Sequence, residues 1–356
     1  MENDILQQID IHKTPQSRKD AVDWDNLPFG RVFSDHMLVM DYADGEWGKP
    51  TIKPFENLSL SPATSVLHYG QTVFEGMKAY RNDKDEVFLF RADQNAKRFN
   101  QSAIRMCMPT IPEDVFVQFV QTLVDLDREW IPTNEGYSMY IRPFMIATDP
   151  YVGIRPSATY KFMIFTCPVG AYYTEPVRVK IETEYTRAAH GGTGFAKAGG
   201  NYAASLYPAK LAAEQGYQQL IWTDAQEHKY IEEAGTMNVV FQIGDTIVTP
   251  KSSDTILDGI TRKSVMEIAR DWGYKTEERK VSVKEVIEAI KSGELKDAFG
   301  AGTAATIAPI KTINFEGRDY DLPDVSERKF SNEVLDYLNR YKHGETEDKF
   351  NWLIKL

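Results

Sequence analysis

Phe195-Ala196-Lys197-Ala198-Gly199-Gly200-Asn201-Tyr202 is the stretch on which the reading of this sequence turns. One lysine sits among residues with almost no side chain, and a tyrosine follows five positions later. Neighbours this small let something bulky and flat approach the amine closely. A lysine amine is a nucleophile only when deprotonated, and partial desolvation favours the neutral form. A Schiff base to a cofactor aldehyde is the chemistry that most needs such a lysine. The competing reading is a lysine that closes a loop ahead of a helix, because lysine is rarely buried. The rest of the chain has to choose between them.

Downstream of the lysine, the pattern predicts a helix from about Tyr202 to Gln215, stopped by Gly216, then a strand over Gln218–Thr223. Glu232-Glu233-Ala234-Gly235-Thr236 leads into a hairpin, Asn238–Ile243 and Thr246–Val248, across Gly244-Asp245. Asp258-Gly259-Ile260-Thr261 begins a helix with Val265, Ile268, Ala269 and Trp272 on its apolar face, ended by Gly273. Ser282-Val283-Lys284-Glu285 is a capping box for another helix, closed by Gly293. Phe299–Ala305 is a second glycine-rich turn, and Asn332–Tyr341 a last helix.

Upstream lies a strand, Val177–Glu184, and before it a segment of two prolines and a glycine, residues 168–176, which reads as a domain boundary. The first half carries expected strands at Phe29–Phe33, His36–Met40, Ser138–Ile146 and Tyr160–Cys167. Strand alternation puts Tyr140 and Arg142 on one side. The glycine- and aromatic-rich run Leu67–Tyr80 enters a hairpin, Met77–Arg81 with Val87–Phe90. Helices are expected over Arg91–Met106, where Arg98 borders the apolar stripe, and over Glu113–Arg128. The first twenty residues read as a loosely tied arm. The fold class is α+β, with an N-terminal domain over 1–167, a linker over 168–176 and a C-terminal domain over 177–356.

A length of 356 residues allows two domains with a large core. The formal net charge of −11 argues against nucleic acid or an anionic membrane as the main partner. Any anion site must therefore be local. The start has no basic region followed by an apolar run, and no apolar stretch approaches the ~18 residues that span a bilayer. Cys107 and Cys167 lie far apart in apolar segments and read as reduced core residues. The six histidines show no metal-ligand spacing. The expectation is a soluble cytoplasmic protein without metal.

Lys197 needs three kinds of company if it holds pyridoxal phosphate. A carboxylate keeps the pyridine nitrogen protonated and the ring an electron sink; Glu232 and Glu233 are the candidates, and only one can face inward if the segment is extended. The phosphate needs amides and cations. Gly259-Ile260-Thr261 opens a helix, Gly302-Thr303 offers a turn with a hydroxyl, and Arg98 can bind bidentately. There is no Gly-Lys-Ser/Thr ending for a nucleotide P-loop, and the glycines near Gly192 lack dinucleotide spacing. Tyr202 is near enough in sequence to reach a phenolic oxygen beside Lys197.

The ordered strings FAKAGGNYAAS, IEEAGTMN, LDGITRKS and FGAGTAA, with LPFGRVFSDHM, LHYGQTVFEGMKAY and MYIRPFM in the first half, resemble the branched-chain amino acid aminotransferases. These are fold-type IV pyridoxal phosphate enzymes, and the resemblance runs from about Asp25 to the C-terminal helix. It implies a small α/β domain and a larger domain with a β-barrel-like core, the cofactor between them. It implies that Lys197 is the Schiff-base lysine and proton shuttle, Glu233 the partner of the pyridine nitrogen and Tyr202 the donor to the phenolic oxygen. Arg98, Ile260, Thr261 and Thr303 match phosphate ligands, and Arg187 an arginine of the cofactor site. Phe29, Tyr69, Phe74, Tyr140 and Tyr172 match an aromatic substrate wall, suited to branched side chains because burying apolar surface contributes ~25 cal/mol per Å². Arg142, with Tyr69 and Tyr140, would hold the distal carboxylate of glutamate. Thr303 and Ala304 would take the α-carboxylate. Val152 and Ile154 match substrate-binding residues on a loop that reaches across a dimer interface. Small-molecule substrates and a homodimer are thus expected. Fold relatives acting on D-amino acids or on aminodeoxychorismate, and a homologue that binds the cofactor without catalysis, are the alternatives. One departure stands out: a Cys-x-x-Cys pair of the mammalian members is replaced by Ala305 and Ala308.

Overall fold

The structure is a computed structural model and describes residue 6 and residues 8–170 and 175–356. Two compact units account for the chain: Met1–Tyr172 with Ala196–Gly200 and Arg340–Leu356, and Tyr173–Phe195 with Asn201–Asn339. The segment around Lys197 and the C-terminal residues thus group with the first unit, where the sequence pattern had placed both in a domain over 177–356.

The first unit is built on one sheet. Its strands are β1 (Asp10–Ile11), β2 (His36–Ala43), β3 (Glu46–Trp47), β4 (Thr51–Pro54), β5 (Thr72–Phe74), β6 (Met77–Arg81), β7 (Val87–Phe90), β8 (Ser138–Ala147) and β9 (Tyr160–Val169), with a C-terminal strand Leu353–Lys355. The order is β1-β4-β2-β9-β8-β6-β7 and then the C-terminal strand, with β5 antiparallel on β8. The short helix α1 (Val66–Tyr69) precedes β5, while α2 (Ala92–Arg105) and α3 (Glu113–Leu126) cover the sheet. Phe99, Phe116 and Phe119 close on Phe162 of β9, with ring centroids 5.4, 5.8 and 6.3 Å away. Each such buried ring contributes roughly 1.5–3 kcal/mol.

Three expectations fail here for local reasons. Phe29–Phe33 is a turn, not a strand: Gly30 has φ +69° and the Arg31 N–H donates to the Pro28 carbonyl. The N-terminal arm is tied down from residue 10, since β1 runs parallel to β4 and the Thr14 N–H donates to His36 Nε2 at 2.9 Å. Cys107 is exposed at the end of α2, in a left-handed conformation with φ +55°, whereas Cys167 is buried.

The second unit is a barrel. Its strands are β10 (Val177–Ile181), β11 (Gln219–Thr223), β12 (Tyr230–Ala234), β13 (Met237–Ile243), β14 (Thr246–Pro250), β15 (Lys275–Arg279), β16 (Val281–Ser282), β17 (Leu295–Gly302), β18 (Thr306–Phe315) and β19 (Arg318–Asp321). The path β13-β17-β18-β10-β11-β12 returns to β13, closing six strands on themselves. Closure pairs the backbone of every barrel strand on both sides, leaving no open edge. The remaining helices are α4 (Gly199–Glu214), α5 (Ile260–Asp271), α6 (Val283–Ser292) and α7 (Lys329–Lys342), making seven among the described residues. Ser282 caps α6 as the sequence predicts, its Oγ accepting from the Glu285 N–H at 3.1 Å, while the Glu285 carboxylate bonds Arg279 instead of closing the box. Helix α5 stops one residue early: Trp272 is its cap and half-buried, ahead of Gly273 at φ +81°. Phe299–Gly302 belongs to β17, so only residues 303–305 turn.

Candidate active site

Lys197 is fixed through its backbone. Its N–H donates to Ser102 Oγ at 2.9 Å, its carbonyl accepts from the Phe74 N–H at 3.0 Å, and Ala198 bridges Val73. The lysine segment is therefore a short addition to β5. This also explains its small residues. Ala196 and Ala198 are buried, and a Cβ on Gly199 would lie 2.7 Å from Thr72 Cγ2. The small side chains serve close packing onto β5, a reason that spacing in the sequence does not reveal.

The Lys197 ammonium lies 4.8 Å from the centre of the Phe74 ring, and the Arg142 guanidinium lies 4.7 Å from the same ring. Such cation–π contacts orient a charged side chain without neutralising it. Arg142 Nη2 donates to the Tyr140 hydroxyl at 2.9 Å, and Phe29 meets Tyr140 edge-on at 4.9 Å. Gly76 makes room for that hydroxyl, since a Cβ there would sit 2.1 Å from it. The first unit thus gathers Lys197, Phe74, Phe29, Tyr140 and Arg142.

Arg98 is buried and forks onto Glu75, Nε to Oε1 at 2.7 Å and Nη2 to Oε2 at 2.9 Å. Asn95 Nδ2 adds a bond to Oε2 at 2.7 Å. Burial pulls the Glu75 carboxyl up, but Arg98, with help from Lys197 and Asn95, holds it below the usual carboxylate range. Glu75 did not stand out in the sequence. The signal was there, as an acid inside an otherwise apolar and glycine-rich run, which demands a buried partner.

In the second unit Glu233 is buried on β12. Its Oε1 accepts from the Leu257 N–H at 2.6 Å, and its Oε2 lies 3.0 Å from Arg187 Nε. Arg187 Nη2 donates to the carbonyls of Gly194 and Thr255, at 3.0 and 2.5 Å. The Leu257 N–H donates a hydrogen bond to Glu233, and Arg187 Nε meets its other oxygen as an ion-pair contact, both of which favour the carboxylate form. Glu232 is buried as well, so the expectation that only one of the pair turns inward is corrected. The physical reason is that β12 is not regularly extended there: Trp222 pairs with Glu233 but Thr223 pairs with Ile231, which leaves Glu232 as the extra residue of a bulge.

Helix α5 opens with Gly259 as cap and no side-chain capping bond, with Ile260 and Thr261 buried in its first turn. Asn238 Nδ2 holds the Leu257 carbonyl at 2.9 Å, and a Cβ on Gly259 would sit 1.7 Å from Asn238 Oδ1. That approach admits only glycine. Thr303 and Ala304 occupy the half-buried turn after β17, and Tyr202 is half-buried in the first turns of α4. Tyr69, Val152 and Ile154 are exposed in the first unit. Tyr172 lies outside the described residues, as do residues 171–174 of the expected linker.

Closed barrel, anchored lysine and buried acid together define a class. The model of amino-transferase class IV matches residues 72–313, and the chain belongs to that family. Among curated proteins, branched-chain-amino-acid aminotransferase 2 of Bacillus subtilis strain 168 is 46% identical over 96% of this chain and 95% of its own length. The branched-chain aminotransferase of Thermoproteus uzoniensis, solved with norvaline, superposes with a TM-score of 0.73 at 26% identity, over 89% of this chain and 98% of its own. That of Escherichia coli gives 0.71 at 25% identity, over 90% and 98%.

Proposed function

We propose that this chain is a branched-chain-amino-acid aminotransferase that moves the amino group of L-leucine, L-isoleucine or L-valine to 2-oxoglutarate, with pyridoxal 5'-phosphate as cofactor. The observation that carries the substrate reading is the shared Phe74 ring, which takes the Lys197 amine and the Arg142 guanidinium at 4.8 and 4.7 Å. A nucleophile, an apolar wall and a single cation suit a pocket that accepts either a branched alkyl chain or the distal carboxylate of glutamate. The residues also fit the cofactor. Glu233 has the donor contacts of a fixed carboxylate, and α5 presents an N-terminus without a side-chain cap, which favours an anion.

When bound, pyridoxal phosphate supplies the electron sink that stabilises negative charge at the substrate Cα. Lys197 would take the proton from that Cα and pass it to C4′ of the cofactor, and would carry it the other way in the opposite half-reaction. Glu233 keeps the pyridine nitrogen protonated, with Arg187 fixing its carboxylate. Tyr202 donates to the phenolic oxygen. Arg98, Ile260, Thr261 and Thr303 hold the phosphate. Thr303 and Ala304 amides take the α-carboxylate. Phe29, Tyr69, Phe74 and Tyr140 would form the wall, with Tyr172 assigned to it through the family resemblance alone, and Arg142 with the Tyr140 hydroxyl would hold the distal carboxylate. A homodimer, with Val152 and Ile154 at its interface, and a cytoplasmic setting complete the proposal; two unpaired thiols suit a reducing compartment.

The test is the visible spectrum of the holoenzyme. L-Leucine is expected to convert the cofactor band to the amine form, and 2-oxoglutarate to restore it, with D-leucine inert. A band that responds to D-amino acids alone would overturn the assignment. Lys197→Ala is expected to abolish turnover, and transamination by that variant at the wild-type rate would remove the lysine from its role.

A further inference from the structure

Glu232 has a place in the second unit that the proposed reaction does not use. As the extra residue of the β12 bulge it is buried beside Glu233, yet turned elsewhere. Its Oε1 accepts from Thr255 Oγ1 at 2.5 Å, and its Oε2 has no hydrogen-bond partner among the described residues. The carbonyl of the same Thr255 accepts from Arg187 Nη2 at 2.5 Å, and Arg187 Nε lies 3.0 Å from Glu233 Oε2. Two residues further on, the Leu257 N–H binds the other oxygen of Glu233 at 2.6 Å. One short loop therefore touches both glutamates and the arginine.

A cavity of about 580 Å³ is lined by Glu232, Ser253, Thr255, Lys229 and Arg279 among others. The Thr255 backbone packs against Gly194, where a Cβ would lie 2.8 Å from its carbonyl oxygen, and its hydroxyl meets Glu232 and Ser253. Burial pushes the Glu232 carboxyl up, and the charges of Glu233 and Asp224 add to this, while Thr255 and Arg187 partly offset it.

We propose that Glu232 and Thr255 are positioning residues, forming a clasp through the Thr255 carbonyl that sets Arg187 and so fixes the carboxylate Glu233 presents to the pyridine nitrogen of the cofactor. The proposal rests on the cofactor reading given above. Removing the hydroxyl with Thr255→Val, or the carboxyl with Glu232→Leu, frees Arg187 to move. A pyridine nitrogen less well held in its protonated form withdraws less charge from the Lys197 side of the ring. The nitrogen there then keeps its proton to higher pH.

The experiment titrates the visible band of the full-length holoenzyme with pH and measures the affinity of the apoenzyme for pyridoxal phosphate. In Thr255→Val and Glu232→Leu the band midpoint is expected to move upward. Affinity should fall roughly 10-fold, the scale of one lost hydrogen bond to a charged group. Thr255→Ser should restore both. A defect of folding alone lowers the amount of band without moving its midpoint. Midpoint and affinity both unchanged in folded Thr255→Val would overturn the clasp. Melting temperatures of the apoenzyme give an independent arm through the cycle of Thr255→Val with Arg187→Leu. Non-additive losses support the clasp and additive losses end it. A wild-type protein that takes up no pyridoxal phosphate would sink the cofactor reading, and the melting cycle would still decide whether Thr255 and Arg187 act together.

Discussion

Glu75 is wholly buried and accepts four hydrogen bonds, from Arg98 Nε and Nη2, Asn95 Nδ2 and the Gly76 N–H. Such a carboxylate stabilises the fold only while ionised. Burial raises its folded pKa, but Arg98, with Lys197 and Asn95, brings it below the ordinary value of 4.5. Its contribution is therefore fully present above about pH 4.5 and is lost as pH falls through the lower, folded value. Glu75→Gln keeps the shape and removes the charge, leaving Arg98 buried without its counter-ion. The expected cost at pH 7 is about 3–5 kcal/mol, the range for breaking one side of a buried pair. Urea melts of the apoenzyme at pH 7 and near pH 4 check this. The gap to wild type should narrow at the lower pH, and a gap that does not change would show that the ion pair is not the source. At this scale the sequence itself draws attention to Lys197 through its small neighbours, whereas Arg187 stands out only through the family resemblance. The sequence was least legible where the partner is remote. Nothing local marks Glu75 for Arg98, 23 residues on, or Thr255 for Glu232 and Arg187.

Strands β17 and β18 meet across residues 303–305, and β18 begins with Thr306 at φ +62°. A β-branched residue in the left-handed region is strained, by roughly 1–2 kcal/mol. The strain sits directly after Thr303 and Ala304, the residues assigned to the phosphate and α-carboxylate. Thr306→Gly relieves the backbone and gives back part of that in chain entropy. Thr306 is also buried, so the lost side-chain contacts offset that relief, and the net expectation is a stability change of no more than about 1 kcal/mol in the apoenzyme, with a rise in KM for both amino donors as the turn loosens. Denaturant melts and steady-state kinetics check the two halves, and a destabilised variant with unchanged KM would show that Thr306 is held by its side chain instead. Elements with strong periodicity or caps were readable in advance, including the Ser282 cap and the β6–β7 hairpin. Phe29–Phe33 was misread because its aromatic pattern suits a strand, while the decisive fact is Gly30 in a left-handed turn. The bulge at Glu232 is likewise invisible in one strand alone, since a bulge is a property of the pairing between two.

For the molecule as a whole, order of motifs said more than any one of them: strings spread from the first half to the second indicated two domains and a barrel, and the six-stranded closure bears out the barrel. Which segments group together was harder to read. Ala196–Gly200 joins the first unit because Lys197 and Ala198 pair with β5, a contact between positions more than a hundred residues apart. The first unit also leaves apolar side chains in water. Leu67 and Tyr69 on α1 are 61% and 42% exposed, Val152 65% and Ile154 93%. These residues lie on neighbouring segments, since Thr64 bridges Pro150 and the Ser65 N–H donates to the Asp149 carbonyl at 2.9 Å. Covering each such side chain contributes roughly 1.5–3 kcal/mol. Two copies related by a two-fold axis would cover both patches at once, the usual way a homodimer uses one surface twice. The wild-type chain is therefore expected to sediment as a dimer at micromolar concentration. Val152→Asp combined with Ile154→Asp places two charges in that surface and should yield folded monomers with an unchanged melting profile at low concentration. Transamination should fall with the dimer fraction, because the same loop is assigned to the substrate site. A monomeric wild type, or a double variant that remains dimeric, would place the interface elsewhere on the chain.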